Sequence, residues 1–169
     1  MKRVLLHVIL IILCYILQVS VFSFFKLAGI VPNIMLIFVV SFALMRGQTE
    51  GMLIGFCSGM LLDIMAGNAI GFNALLYLFM GYANGLLARI FYANNILMPL
   101  AMIFVNSMAY NFIIYICQFL LRNRTNLGFY MMHVLLPEVI YTFLIAIFLY
   151  NVFLWLNQIL EKSEKGVSA

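Results

Sequence analysis

The chain of 169 residues is too apolar for an ordinary soluble domain. Hydrophobic residues make up 67% of it and charged residues 8%, whereas a soluble domain carries about 25% charged residues. Six membrane helices of about 20 residues each would use about 120 residues and leave no room for a separate soluble domain. This composition argues against an enzyme domain outside the membrane. The nine Lys and Arg residues are spread over the chain and form no basic stripe for nucleic acid.

Charged and turn residues divide the chain into six apolar segments, and we expect each to be a transmembrane helix of one integral membrane domain, residues 1–169. The first segment is too long for the apolar region of a signal peptide, which runs about 7 to 15 residues, so it is predicted to be retained. Pro32, Pro99 and Pro137 fall near segment starts, where the missing N–H of proline is no loss. The predicted helices cover residues 4–25, 31–45, 51–66, 72–93, 96–121 and 136–159.

The second and third predicted helices are short. At 1.5 Å per residue they extend roughly 22 to 24 Å, whereas the hydrocarbon core of a bilayer is about 30 Å thick. We therefore expect these two helices to lie partly inside a helix bundle rather than in bare lipid.

Basic residues at the helix ends favour an orientation with both termini in the cytoplasm. This orientation places six Lys and Arg residues inside and three outside, in agreement with the positive-inside rule. The inside group is Lys2, Arg3, Arg46, Arg89, Lys162 and Lys165, and the outside group is Lys26, Arg122 and Arg124.

Glycine recurs at every fourth position from 47 to 71, interrupted only by Asp63. Residues four apart lie on nearly the same face of a helix, so the third helix would present a groove that another backbone can approach closely. Packing within the chain is the interpretation we favour. Contact with another subunit, including a second copy in a homodimer, stays open. The ladder is Gly47, Gly51, Gly55, Gly59, Gly67 and Gly71, and the fourth helix repeats the spacing with Gly81 and Gly85.

Two acidic residues lie inside or beside apolar segments. An ionisable group in a membrane segment is costly and marks a candidate functional site. Asp63, however, lies near the end of a short helix, where a carboxylate can instead cap backbone N–H groups, and both interpretations stay open. Glu138 follows Pro137 in the predicted first turn of the last helix, where the helix dipole favours a carboxylate.

Side chains suited to catalysis or ligand chemistry are scarce. The three cysteines lie in three different segments without Cys-x-x-Cys spacing, and a serine nucleophile would need a positioned base that the pattern does not supply. We expect no enzyme activity, no metal and no cofactor. Ser107, Asn111 and Gln118 share one face of the fifth helix, and such groups usually form hydrogen bonds between helices.

Residues 32–85 resemble the MreD family, the small multispanning rod shape-determining proteins of bacteria. The resemblance rests on Pro32-Asn33-Ile34, Arg46-Gly47, the spaced glycines, Leu61-Leu62-Asp63, the run from Gly71 to Leu75, and the two glycines of the fourth helix. In the family the position after the proline is often Asp, and here it is Asn33. The predicted helix-packing or partner-binding residues are Pro32, Asn33, Gly47, Gly51, Gly55, Gly59, Asp63, Gly71, Gly81 and Gly85.

The resemblance implies a noncatalytic subunit, in the bacterial cell membrane, of the machinery that elongates the side-wall peptidoglycan. It would bind MreC, a single-span periplasmic scaffold, and through MreC or directly the RodA glycosyltransferase, its class B penicillin-binding partner and MreB filaments. The family is also similar in fold to the six-helix S subunits of energy-coupling vitamin transporters. That similarity implies an alternative function as a small-molecule-binding transporter subunit, because short helices interrupted by Gly or Pro can line a binding site.

Overall fold

The computed structural model describes residues 2–21, 31–66, 71–91, 97–117, 132 and 135–165. In this part of the chain there are six helices and no strand, which confirms the predicted all-α, six-helix fold. A π-helical turn, Leu17–Val21, extends the first helix. In chain order the helices are α1 (Lys2–Ile16), α2 (Ile34–Arg46), α3 (Gln48–Ala66), α4 (Phe72–Phe91), α5 (Leu97–Tyr115) and α6 (Leu136–Lys165).

The observed helix ends differ from the predicted ones where local turns intervene. Helix α2 begins at Ile34, because Asn33 is its cap rather than part of it. Helix α3 begins at Gln48 instead of 51, since Gly47 alone connects it to α2. Helix α6 continues to Lys165, beyond the predicted end at 159. Parts of the predicted first, fourth and fifth helices, at 22–25, 92–93 and 118–121, lie outside the described residues.

Helix α2 is the centre of the bundle. Every residue from Ile34 to Ala43 is fully buried, and Leu44 is 6% exposed. The helix contacts all five other helices. At 13 residues it is about 20 Å long, and burial of its first eleven residues, Ile34 to Leu44, confirms that the second helix lies inside the bundle. Helix α3 lies partly inside the bundle, as expected, since Ile54 is buried whereas Leu53 and Phe56 face outward.

Three phenylalanine rings hold α6 against the central helix. Phe38 and Phe42 of α2 have ring centroids 4.6 Å apart. The Phe153 ring of α6 lies 5.4 Å from Phe38 and 6.0 Å from Phe42, both edge-on. Edge-to-face pairs are a favourable arrangement of aromatic rings, and close packing of this kind drives helix association in lipid.

The outer surface of the bundle is mainly apolar in the described part of the chain. Large exposed side chains occur on α1, α3, α4, α5 and α6, among them Ile9, Leu53, Phe79, Val105 and Phe148. In the described part of the chain, two helical segments are long and apolar enough to cross a membrane, with mean hydropathies of 1.6 and 2.2. They are Leu97–Tyr115 and Leu136–Ile159, whereas Leu6–Ser20, Ile34–Arg46 and Phe72–Ala88 are apolar but shorter.

The two ends of the bundle carry different polar groups. At one end, called here the polar end, α2, α4 and α6 begin and α3 and α5 finish, which brings together Asn33, Asp63 and Asn73. At the opposite end, the Arg46 Nε–H donates to Oδ1 of Asn157 at 2.5 Å and ties α2 to α6. Lys26, Arg122 and Arg124 lie outside the described residues, so the orientation with both termini in the cytoplasm stays a prediction.

Candidate functional site

The glycines in the middle of α3 bring its backbone against the backbone of α4. A Cβ built on Gly55 would lie 2.7 Å from the carbonyl carbon of Tyr77. One built on Gly59 would lie 2.5 Å from the carbonyl oxygen of Asn73. Real Cβ atoms essentially never come within 3.0 Å of another heavy atom, so only glycine permits this approach. The groove predicted on the third helix is thus occupied by the chain's own fourth helix.

The glycines of α4 meet α3 in the same way from the other side. A Cβ on Gly81 would lie 2.6 Å from the carbonyl carbon of Gly51, and a Cβ on Gly51 would lie 2.7 Å from the carbonyl oxygen of Gly81. A Cβ on Gly85 would lie 2.5 Å from the backbone nitrogen of Gln48. The contact between α3 and α4 therefore runs nearly the full length of α3 and depends on glycine in both helices.

Gly47 and Gly71 do not belong to this groove. Nothing lies within 4 Å of a Cβ built on either residue, but both have positive φ, +90° and +98°. Gly47 ends α2 and donates its N–H to the Ala43 carbonyl at 2.9 Å. Both glycines shape turns, because such backbone angles favour a residue without Cβ. Gly67, the remaining member of the predicted ladder, lies outside the described residues.

The carboxylate of Asp63, fully buried at the end of α3, caps the start of α4. Its Oδ2 accepts hydrogen bonds from the backbone N–H groups of Gly71 at 2.9 Å and Ala74 at 3.1 Å. Its Oδ1 accepts from the backbone N–H of Asn73 at 3.2 Å and from the Asn73 side-chain amide at 2.8 Å. The first N–H groups of a helix have no partner within it, and a carboxylate there is favoured by the helix dipole. The geometry corresponds to the capping interpretation.

Asn33 performs a similar task at the start of α2 and also joins two other helices. Its Oδ1 accepts from the Leu36 backbone N–H at 3.0 Å and from the Tyr77 hydroxyl of α4 at 2.8 Å. Its own backbone N–H donates to Oγ1 of Thr142 in α6 at 3.1 Å. Pro32, buried directly before the cap, accepts at its carbonyl from the Ile34 N–H at 3.1 Å. One asparagine thus links three helices.

Tyr110 and Gln18 add α5 and the turn after α1 to the hydrogen bonds of the polar end. The Tyr110 hydroxyl of α5 donates to Oδ1 of Asn73 at 2.9 Å, and its ring lies 5.5 Å from that of Tyr77. The side-chain oxygen of Gln18, in the turn after α1, accepts from the Met35 backbone N–H at 3.1 Å. Hydrogen-bond partners at the polar end therefore come from every helix or its extension. Buried polar networks that are satisfied in this way hold elements in one arrangement.

Glu138 lies in the first turn of α6, in the predicted position. It is half-buried and lies near the Asn111 side chain of α5. Asn111 also donates to the Ser107 carbonyl of its own helix at 3.1 Å. Ser107 and Asn111 are both buried, and Gln118, their predicted companion, lies outside the described residues.

An asparagine pair between α4 and α5 was not predicted from the sequence. The Asn84 amide donates to Oδ1 of Asn106 at 2.9 Å, and the Asn106 amide donates back to Oδ1 of Asn84 at 3.0 Å. Each amide also donates, at 2.7 Å, to the carbonyl four residues earlier in its own helix. An asparagine in the middle of an apolar helix indicates that a hydrogen-bond partner is needed. The spacing of residues along the helix does not show which residue that partner is.

The hydrogen bonds of Asn33, Asp63 and Asn73, and those of the Asn84–Asn106 pair, join helices. In the described part of the chain, no group of three or more His, Cys, Asp or Glu residues could hold a metal ion. The three cysteines, Cys14, Cys57 and Cys117, are free thiols. The four donors around Asp63 occupy both of its carboxylate oxygens. What this arrangement can do is hold helices at fixed spacings.

Comparison with protein-family models matches residues 1–160 to the family described as rod shape-determining protein MreD. The match covers the polar end and the contact between α3 and α4, called here the glycine interface, which is formed by Gly51, Gly55, Gly59, Gly81 and Gly85. No curated protein and no solved structure matches the chain.

Proposed function

The chain belongs to the MreD family of rod shape-determining membrane proteins, and on that premise we propose that it is a noncatalytic scaffold subunit of the bacterial cell-wall elongation machinery. In this role it docks the transmembrane helix of MreC. Through MreC or directly, it positions the RodA glycosyltransferase and its class B penicillin-binding partner beside MreB filaments. The family match supports a role in rod shape determination. The scaffold role is our inference from the architecture.

The hydrogen bonds at the polar end favour a role as a scaffold. Asp63, Asn33 and Asn73 bond with groups of the same chain, so they set the positions of helices. The outer surface offers neighbouring molecules mainly apolar side chains. Such a surface suits lipid and other transmembrane helices, which associate by close packing.

The glycine interface narrows the ways in which MreC can be bound. Gly55 and Gly59 face the backbone of α4, so a partner helix cannot reach them while α3 and α4 are packed. We propose that these glycines act on MreC indirectly, by setting the spacing of α3 and α4. In this proposal MreC docks on the outer apolar surface of the bundle.

Membership of a membrane protein family also supports the proposed location. We place the protein in the bacterial cell membrane as a multi-pass protein surrounded by lipid, with both termini in the cytoplasm. In that orientation Arg46 lies on the cytoplasmic side, where the positive-inside rule favours it, and the polar end lies on the outer side.

Depletion of the protein in its host tests this function. Cells that lose it should become round, and plasmid-borne wild-type protein should restore rods. MreC should co-purify with the wild-type protein in mild detergent. Cells that stay rod-shaped but acquire a vitamin requirement would contradict the proposal and favour the transporter-subunit alternative, which the family match does not support.

A further inference from the structure

Asn151 is a polar residue on the outward face of α6, at a depth where lipid would surround it. The residue is exposed and belongs to the membrane-crossing segment Leu136–Ile159. Eight residues separate it from the end of that segment, which places it about 12 Å inside. Lipid chains supply no hydrogen-bond donor or acceptor, so an amide directed at them is costly unless another protein group meets it.

Asn84 and Asn106 show how this chain satisfies an asparagine inside an apolar helix. Each amide donates one N–H to the carbonyl four residues earlier in its own helix. The second N–H and Oδ1 then form a reciprocal pair with the other asparagine, at 2.9 and 3.0 Å. Two helices are joined by two hydrogen bonds between identical groups.

Asn151 has the first half of this arrangement. Its amide donates to the Ile147 carbonyl, four residues earlier, at 2.9 Å. Within the described residues, no partner is found for its second N–H or for Oδ1. The amide therefore presents outward one donor and one acceptor, the same two groups through which Asn84 and Asn106 recognise each other.

We propose that Asn151 pairs with Asn151 of a second copy of this chain, which makes the outer face of α6 a dimer interface. An asparagine amide is its own complement, because the N–H that remains after the bond to Ile147 lies beside the acceptor Oδ1. A two-fold axis brings the same residue of both copies together, so a single asparagine supplies both hydrogen bonds. Any other occupant would have to bring a matching polar group of its own.

The surroundings of Asn151 fit such an interface. At 100° per residue, Asn151 lies near the middle of the exposed stripe of α6. The nearest exposed residues are Ile147, Phe148, Val152 and Trp155, of which Phe148 is 77% and Trp155 59% exposed. All of these neighbours are apolar. In the dimer, the apolar side chains around Asn151 of one copy would pack against the same side chains of the other copy. Trp155 is the chain's one tryptophan and provides a large packing surface beside the amide.

Cysteine cross-linking of the full chain, purified and reconstituted alone in lipid vesicles, tests the interface. The background carries Cys57→Ala and Cys117→Ala, and Phe148→Cys or Trp155→Cys is added singly with Asn151 intact. Both variants should form disulfide-linked dimers on mild oxidation. Phe79→Cys is the matched control, since Phe79 is 59% exposed on the outer face of α4, and it should cross-link far less.

The contribution of the amide is measured by Asn151→Leu in the same vesicles. Its removal should lower the association constant of the dimer by about 3- to 30-fold and reduce cross-linking at positions 148 and 155. Tyr82→Phe, which removes a polar atom from the exposed face of α4, should leave association unchanged. A monomeric wild-type protein, equal cross-linking at position 79, or unchanged association of Asn151→Leu would each overturn the proposal.

Discussion

One carboxylate oxygen of Asp63 accepts two hydrogen bonds from Asn73, at 3.2 Å from the backbone N–H and 2.8 Å from the side-chain amide. The Asn73 side chain also accepts a hydrogen bond from the Tyr110 hydroxyl of α5. The hydrogen bonds that cap α4 therefore connect α3 and α4 to a third helix, α5. A change at the end of α3 is therefore expected to affect both α4 and α5.

Loss of the Asp63 carboxylate should destabilise the bundle. Asp63→Ala leaves buried donors of Gly71, Asn73 and Ala74 without an acceptor, and we expect a loss on the order of 2–4 kcal/mol. Asp63→Asn keeps one acceptor oxygen but turns an N–H group toward backbone donors, so its loss should be intermediate. Thermal unfolding in detergent measures both. Met65→Ala, an exposed change at the same helix end, is the control, and an Asp63→Ala protein as stable as this control would refute the capping role.

A side chain in the glycine interface should separate α3 from α4. Gly55→Leu directs a bulky group at the backbone around Tyr77, so the protein should insert but unfold at a lower temperature. If the bundle shape positions MreC as proposed, less MreC should also co-purify. Cys57→Leu adds the same side chain to the exposed face of α3 and should leave the unfolding temperature unchanged. Recovery of MreC with Gly55→Leu at the wild-type level would count against the indirect role of the glycines.

The stability of Asn33 variants should depend on whether the new side chain can accept hydrogen bonds. Asn33→Asp retains an oxygen for both the Leu36 N–H and the Tyr77 hydroxyl, so rod shape should be maintained in a complemented strain. Asn33→Ala removes the cap and the tyrosine partner, and we expect a loss of about 1–3 kcal/mol in unfolding free energy. Tyr77→Phe, which removes only one of these bonds, should lie between Asn33→Ala and the wild type. If Asn33→Ala matched the wild type, the linking role of this residue would be wrong.

The Asn84–Asn106 pair should show energetic coupling. Each single change to Ala leaves the other amide without its partner, so the double change should cost less than the sum of the two single changes. The coupling expected for interhelical hydrogen bonds in membranes is about 0.6 kcal/mol and at most about 1.7 kcal/mol. Unfolding free energies of the four proteins measure it. Additive losses would mean that the two amides contribute independently.

Some of these relationships follow from sequence spacing and others do not. The four-residue spacing of glycine predicts a smooth helix face, and the structure places Gly51, Gly55 and Gly59 on one. The same spacing also includes Gly47 and Gly71, which instead have positive φ. Spacing along the chain carries no information about backbone angles, so it cannot separate a glycine needed for close approach from one needed for a turn.

The sequence by itself predicted six apolar helices and a resemblance to the MreD family, because composition, periodicity and local motifs are properties of the chain alone. The described part of the chain has these six helices. The tertiary structure decided which helix is central and which residues meet. Burial of α2 from Ile34 to Leu44 depends on the five helices that surround it, and the bond from Asn33 to Thr142 joins residues 109 positions apart. Contacts of that kind arise only when the helices pack, since residues distant in the chain then supply each other's hydrogen-bond partners.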